Sequence, residues 1–295
     1  MKLIALILGL GLEHVATQVL HLRELRWFDA YFDLGLARLK ALKAWLSYLA
    51  IILILVIPLI PVLWASIALR GTAPWDLPYL LFAVLVVFFC LGPRDLGTEV
   101  DEYCSAVSRG DTKRSEAVLT ELCEGDRSGA TDIDAVEEAI FVQATNRIFG
   151  VVFWFIALGP VGAWLFRVSD LLRQRVAYET SRDPDSVGGA LAAVEMVHGV
   201  LVWVPARLAI VGYAFSGSFD DAFNCWRSYE LRADLPFHRS NDEVVACVGR
   251  AAMTGFLEET PNSSAAARNA MRLVTRTLFI WITVIAVMTL FGWAV

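Results

Sequence analysis

The chain has 295 residues, of which 57% are hydrophobic and 19% are charged, and its net charge is −6. The mean hydropathy of +0.57 and the gathering of apolar residues into long blocks indicate a membrane protein and exclude an ordinary soluble domain. The negative charge and the scattered basic residues exclude the clustered positive surface that nucleic-acid binding requires.

Residues 1–44 predict an N-terminal helix followed by a basic flank. The apolar run 3–12 ends at Glu13, and no small-residue cleavage site follows it. We therefore expect an uncleaved helix that enters or lines the bundle.

Residues 45–93 predict a transmembrane hairpin. The first span, 45–69, contains Pro58 and Pro61, and the second span covers 77–91. Proline kinks a membrane helix without excluding it, because neighbouring groups can satisfy the freed carbonyls.

Two polar segments, 94–147 and 220–276, contain charged residues interleaved with apolar ones at helical spacing. This pattern predicts amphipathic helices outside the hydrocarbon. The last segment, 277–295, carries no charge and predicts a C-terminal transmembrane helix.

Residues 148–219 predict broken or re-entrant membrane helices. Gly159 and Pro160 interrupt the apolar run 148–166, while Pro205 divides the stretch 189–219. The second stretch also contains charged residues, so it is compatible with a re-entrant pair, an interfacial helix or a weak fourth span.

The fold expected from these elements is an all-α, polytopic membrane helical bundle with amphipathic extramembrane helices. The five cysteines lack CxxC spacing, so we expect thiols. Basic residues beside the first and last spans favour mainly cytoplasmic extramembrane helices and an external C-terminus. These residues are Arg38, Lys40, Lys43, Arg268, Arg272 and Arg276.

Three stretches give the chain a familiar pattern: AVSRGDTKRSEA at 106–117, NRIFGVVFWFIALGPVGAWLFRVSDLL at 146–172, and WVPARLAIVGYAF at 203–215. Together with the single C-terminal span, they resemble the AmpE proteins of bacterial inner membranes over nearly the whole chain. The resemblance implies a multi-pass protein of the bacterial inner (cytoplasmic) membrane, associated with inducible β-lactamase signalling and the response to cell-wall antibiotics.

AmpE proteins share a superfamily with the CobD/CbiB cobalamin-assembly synthases, which join an aminoalcohol to a corrinoid carboxylate using ATP and a divalent metal. The resemblance implies a shared skeleton that is visible here in Asn146, Gly150, Arg167, Trp203, Pro205, Ala206, Arg207 and Leu208. Of these residues, Gly150, Trp203 and Pro205 are expected to be structural, with Trp203 fixing Pro205.

The acidic positions of the synthases are replaced in this chain. Where the resemblance places Glu and Asp around Asn146, this sequence has Thr145 and Phe149, and where it places an Asp pair, this sequence has His198 and Gly199. Magnesium is usually held by one or two carboxylates together with substrate phosphates. We therefore predict no catalytic residues, no metal ligands and no cofactor.

Five residues are candidate ligand contacts. Ionised groups in membrane segments are costly, so Glu13 and Arg207 are expected either to contact a polar partner or ligand, or to snorkel to the interface. Asn146 could orient a phosphate or carboxylate, or act as an ordinary N-cap. Arg167 and Asp170 are three residues apart on one helical face, where they could serve a ligand or form a surface ion pair.

Three functions remain open. The first is an AmpE-like accessory protein that contacts the lipid bilayer and a membrane or cytoplasmic signalling partner. The second is a divergent synthase that uses ATP and Mg and replaces the lost acids with Asp111, Asp126 or Asp170. The third is a small-molecule transporter, suggested by the proline-broken spans, although no internal repeat supports it.

Overall fold

A computed structural model describes residues 2–16, 27–39, 44–71, 76–92, 95–124, 132–182, 190–230, 237–254 and 262–292. Within these residues the regular secondary structure is helical and contains no β-strand. In the described part of the chain, four helical segments are long and apolar enough to cross a membrane: Leu46–Ala68, Ile133–Leu158, Ala190–Ser216 and Ser263–Leu290. The prediction of a polytopic helical bundle is confirmed.

The described residues form the following helices, given in chain order. They are α1 Lys2–Ala16, α2 Trp27–Leu39, α3 Ala44–Val56, α4 Leu59–Ala68, α5 Leu77–Cys90, α6 Leu96–Ser108, α7 Thr112–Leu122, α8 Asp132–Ala144, a π-helical turn Thr145–Phe149, α9 Gly150–Leu158, α10 Pro160–Arg182, α11 Ala190–Ser216, α12 Phe219–Glu230, α13 Phe237–Ala252 and α14 Ser263–Leu290.

The chain divides into two compact units. The first unit contains α1 to α5, α9, α10 and the part of α11 up to Leu201. The second contains α6, α7, α8, the π turn, the remainder of α11, and α12 to α14.

In the first unit, α2, α3, α10 and α11 share an apolar core. Phe28 and Phe32 of α2 pack with Ile51 of α3 and with Leu172 of α10. Close contact between α1 and α5 depends on Gly9, because a Cβ there would lie 2.7 Å from Val87 Cγ1. Small residues allow such close approach of helices in lipid, where the hydrophobic effect between helices is weak.

The interruption expected at Gly159 and Pro160 is a complete break between two helices. Gly159 adopts φ +72°, which ends α9, and α10 begins at Pro160. The two helices then pack against each other: a Cβ on Gly162 would lie 2.3 Å from the Trp154 carbonyl oxygen, and one on Gly150 would lie 2.1 Å from the Phe166 ring. The sequence therefore folds back at Gly159 into a tight helical hairpin.

By contrast, α11 continues through Pro205 as one helix of 27 residues. This length corresponds to about 40 Å at the usual rise per residue, which is enough to span a bilayer. Three alternatives were open for residues 189–219. The continuous helix excludes one of them, a re-entrant pair of helices divided at Pro205.

In the second unit, α8, α11, α13 and α14 enclose an aromatic core. Tyr213 makes edge contacts with Phe141 at 5.1 Å and Phe149 at 5.9 Å between ring centroids. Phe149 also packs against Trp281 at 5.0 Å. These rings join α11, the helix around the π turn, and the apolar part of α14.

The cysteines depart from the sequence expectation. Cys225 of α12 and Cys247 of α13 form a disulfide with a Cα–Cα distance of 6.4 Å, so the expectation of thiols is wrong for this pair. Cys90, Cys104 and Cys123 are free thiols. No local sequence motif indicated this disulfide, because the two cysteines are 22 residues apart and meet only when α12 and α13 pack together.

We expect Gly162→Ala to lower the thermal unfolding midpoint of the protein in detergent, because the added methyl group meets the Trp154 backbone. Overpacking of this kind costs about 1–3 kcal/mol. The matched control is Gly11→Ala in α1, where nothing lies within 4 Å of the added Cβ. That change should leave the midpoint unchanged or raise it slightly, because Ala is the better helix former. Equal midpoints for the two variants would contradict the packing of the α9–α10 hairpin.

Candidate functional site

A buried polar cluster surrounds Asp170 on α10. Asp170 Oδ2 accepts hydrogen bonds from Arg167 Nη1 and Gln174 Nε2, each at 3.0 Å, and Oδ1 accepts one from Arg173 Nη2 at 3.0 Å. The three donors lie three or four residues from Asp170, so a single helix provides them all. The carboxylate is thereby well satisfied inside the protein.

The Arg167–Asp170 pair predicted from the spacing is confirmed, but its interpretation as a surface ion pair is wrong. The side chains are 2% and 0% exposed. Removing charges from water is expensive unless they are paired and hydrogen-bonded. The cluster therefore carries an energetic cost that ordinary surface pairs do not have. Whether it binds a ligand stays a prediction.

His198 of α11 joins the same region. Its Nδ1 lies 3.1 Å from Ser169 Oγ, and Ser169 in turn donates to the Phe166 carbonyl oxygen at 2.7 Å. The Phe166 ring packs 5.5 Å from the imidazole. Because Gly150 has no side chain, it leaves the space that this phenyl ring occupies.

The electrostatic balance around Asp170 favours its ionised form. Burial disfavours a charged carboxylate, whereas the guanidinium groups of Arg167 and Arg173, each 3.0 Å from a carboxylate oxygen, favour it.

In the second unit, the π-helical turn carries Asn146 and Arg147. Arg147 Nη1 donates to Glu99 Oε2 at 2.9 Å, and both side chains are largely buried. Within the described part of the chain, the buried Oδ1 of Asn146 accepts no hydrogen bond. Asn146 lies inside a continuous helix, so the N-cap interpretation is wrong. π turns occur frequently at functional sites.

Arg207 contacts groups on two helices of this unit. Its Nη1 donates to Asn241 Oδ1 of α13 at 3.2 Å, and its guanidinium carbon lies 5.5 Å from the centroid of the exposed Trp203 ring. A cation–π contact of this kind anchors the guanidinium beside an otherwise apolar helix. Pro205 lies within α11 between these two residues.

The structure thus pairs Arg167 with Asp170 in the first unit, where Gly150 packs against the Phe166 ring. In the second unit it brings together Arg207 and Trp203. Glu13 belongs to α1, but its side chain lies outside the described residues.

Sequence reasoning missed several partners of these residues. Arg173 and Gln174 were detectable, because they lie three and four residues from Asp170. Glu99 and Asn241 were not, because they are separated in sequence from Arg147 and Arg207 by 48 and 34 residues. Among the described residues, no group of three or more His, Cys, Asp and Glu side chains is placed to hold a metal ion.

The chain is similar in sequence to one protein family and to several characterised proteins. The family model described as CobD/Cbib protein matches residues 6–258. Protein AmpE of Shigella flexneri is 26% identical over 234 residues, which cover 76% of this chain and 78% of the relative. No solved structure matches the chain.

Two further relatives are each named cobalamin biosynthesis protein CobD. The protein from Stutzerimonas stutzeri is 28% identical over 159 residues, covering 53% of this chain and 51% of the relative. The one from Chromobacterium violaceum is 26% identical over 174 residues, covering 57% and 54%. The chain therefore spans about half the length of these two relatives.

We expect Asp170→Asn to destabilise the protein by about 3–5 kcal/mol, because it leaves the guanidinium groups of Arg167 and Arg173 buried without their shared carboxylate. Thermal unfolding in detergent measures this loss.

The matched control is Glu102→Gln, which removes a carboxylate from an exposed pair with Arg114. Exposed ion pairs contribute about 0.2–1 kcal/mol. A loss at Asp170 no larger than the loss at Glu102 would contradict the buried cluster.

Proposed function

The chain belongs to the CobD/CbiB family, whose model covers residues 6–258, and from this premise we propose that it is an AmpE-like accessory protein of the membrane. In this role it links the bilayer to β-lactamase induction and the response to cell-wall antibiotics, without synthase activity. The resemblance to AmpE proteins supplies the biological process.

One observation carries this proposal. At positions where the family resemblance places acidic residues in the synthases, this chain has non-acidic side chains that pack or hydrogen-bond within the protein. Phe149 is fully buried between Tyr213 and Trp281. Thr145 donates its hydroxyl to the Phe141 carbonyl oxygen at 2.9 Å, and His198 contacts Ser169. None of these three side chains supplies a carboxylate, which is the protein group that usually holds magnesium.

The extent of similarity supports the same choice. The match to protein AmpE covers 78% of that relative, whereas the matches to the two CobD proteins cover 51% and 54% of theirs.

The amphipathic helices α6, α7, α12 and α13 provide the platform for a signalling partner in this proposal. The candidate ligand contacts of the same unit are Asn146 and Arg207, and those of the first unit are Arg167 and Asp170.

We assign the protein to the inner membrane of a bacterium, with the platform mainly cytoplasmic. Arg268, Arg272 and Arg276 precede the chargeless part of α14, and basic residues beside membrane helices favour the cytoplasm. The Cys225–Cys247 disulfide favours the opposite side, because disulfides persist in oxidising compartments.

A reporter fusion separates these two expectations. Alkaline phosphatase fused after Val295 should be active, because that enzyme folds only outside the cytoplasm, whereas a green fluorescent protein fused there should be dark. Insertion of the same reporters at Gly110, in the turn between α6 and α7, should give the reverse pattern. An inactive phosphatase after Val295 would reverse the assigned orientation.

Deletion of the gene tests the signalling role. In a host with inducible β-lactamase, we expect the deletion to change the induction curve after exposure to a cell-wall antibiotic, and the intact gene supplied in trans should restore it. Transcripts of neighbouring genes serve as the control for polar effects. An unchanged curve with intact neighbouring transcripts would remove the signalling assignment.

The second candidate is a divergent ATP- and Mg-dependent amide-forming synthase, favoured by the match to the CobD/CbiB family and the two CobD relatives. Its proposed replacement acids already have structural contacts. Asp111 accepts from the Arg114 backbone N–H at 3.1 Å at the start of α7, and Asp170 is surrounded by three donors. Asp126 lies outside the described residues. Heat of binding in calorimetry of the purified chain with ATP and magnesium would favour this candidate.

A further inference from the structure

Three phenylalanines form an exposed row where α11 ends and α12 begins. Phe215, Phe219 and Phe223 are 69%, 51% and 48% exposed. Their rings are nevertheless neighbours, with centroid distances of 5.8 Å between Phe215 and Phe219 and 6.1 Å between Phe219 and Phe223. Exposed aromatic rings at successive helical turns make a continuous apolar patch, which in a soluble protein marks an interaction surface.

The height of this row in the membrane follows from α14. Arg276 is the last charged residue of that helix, and from Thr277 to Leu290 the helix carries no charge. The hydrocarbon region therefore begins close to Thr277. Ser216 Oγ lies 2.9 Å from Thr277 Oγ1, which places the end of α11 at the same level. The start of α12 consequently lies at the membrane surface.

Of the remaining faces of α12, one packs against protein and another is polar and exposed. Ala222 is buried and Cys225 is linked to Cys247, so this side packs on α13. Asp220 and Asn224 are exposed and polar. Asp221 accepts hydrogen bonds from Ser218 and Thr254, which hold its pKa below the ordinary value. This part of the helix therefore remains charged and requires water.

We propose that Phe215 of α11 and Phe219 and Phe223 of α12 form an interfacial anchor that inserts into the boundary between lipid headgroups and acyl chains, while Asp220 and Asn224 of α12 face water. Helices that lie in this boundary bury an apolar face by about 5–10 Å and keep a polar face outside. The level of the row, beside the first chargeless turn of α14, favours lipid over a second copy of the chain. The anchor does not depend on the signalling role.

Spin labels can measure the depth of these positions without interference from the native cysteines. The full-length chain carries p-acetylphenylalanine at position 223, 219 or 224, coupled to a nitroxide, and is reconstituted into vesicles of phosphatidylethanolamine and phosphatidylglycerol. Oxygen concentrates in hydrocarbon, whereas a neutral nickel chelate stays in water. Collision of each reagent with the label therefore reports its surroundings.

We expect oxygen to dominate at positions 219 and 223 and the nickel chelate to dominate at position 224, which is the adjacent, exposed control. If the label at 223 impairs folding, as judged by gel filtration and thermal unfolding, position 219 gives the same reading. Dominance of the nickel chelate at 219 and 223 would overturn the anchor. Dipolar broadening at these positions that disappears on dilution with unlabelled protein would also overturn it, because a second copy would then cover the row.

Discussion

The structure depends on how ionised groups are kept away from hydrocarbon. In α10 the charges are paired inside the protein: the Asp170 carboxylate accepts hydrogen bonds from Arg167, Arg173 and Gln174. Breaking such a buried set is costly because each remaining charge would lose its partner. In α14 the charges are instead separated along the helix from the apolar part, because Arg272 and Arg276 precede its chargeless part. Both arrangements follow from the same desolvation cost.

Residues that the family resemblance singled out have definite structural contacts in this chain. Family positions such as Gly150 and Arg167 serve local packing and charge pairing. Phe149 is buried among aromatic rings. A carboxylate in that apolar place would require desolvation without a partner.

The chain's hydropathy made the helical class and most apolar segments predictable, because lipid selects long chargeless blocks. The Arg167–Asp170 pair was also predictable from its helical spacing, but its burial was not. Burial depends on α11, which approaches α10 through His198 and Ser169. Likewise, the continuity of α11 through Pro205 depends on tertiary context that overrides a local helix-breaking tendency. The Glu99–Arg147 pair joins distant helices, so no local pattern encodes it.

The π turn at Thr145–Phe149 has a consequence for helical phase. A π turn accommodates one residue more than an α-helical turn, so every side chain after it is rotated relative to an uninterrupted α-helix. One residue corresponds to about 100° of rotation. Loss of a single residue in this turn would carry Gly150 away from the Phe166 ring and bring a bulkier neighbour towards it. The π turn therefore fixes which face of the following helix Gly150 occupies, so the packing of that helix depends on its length as well as on its composition.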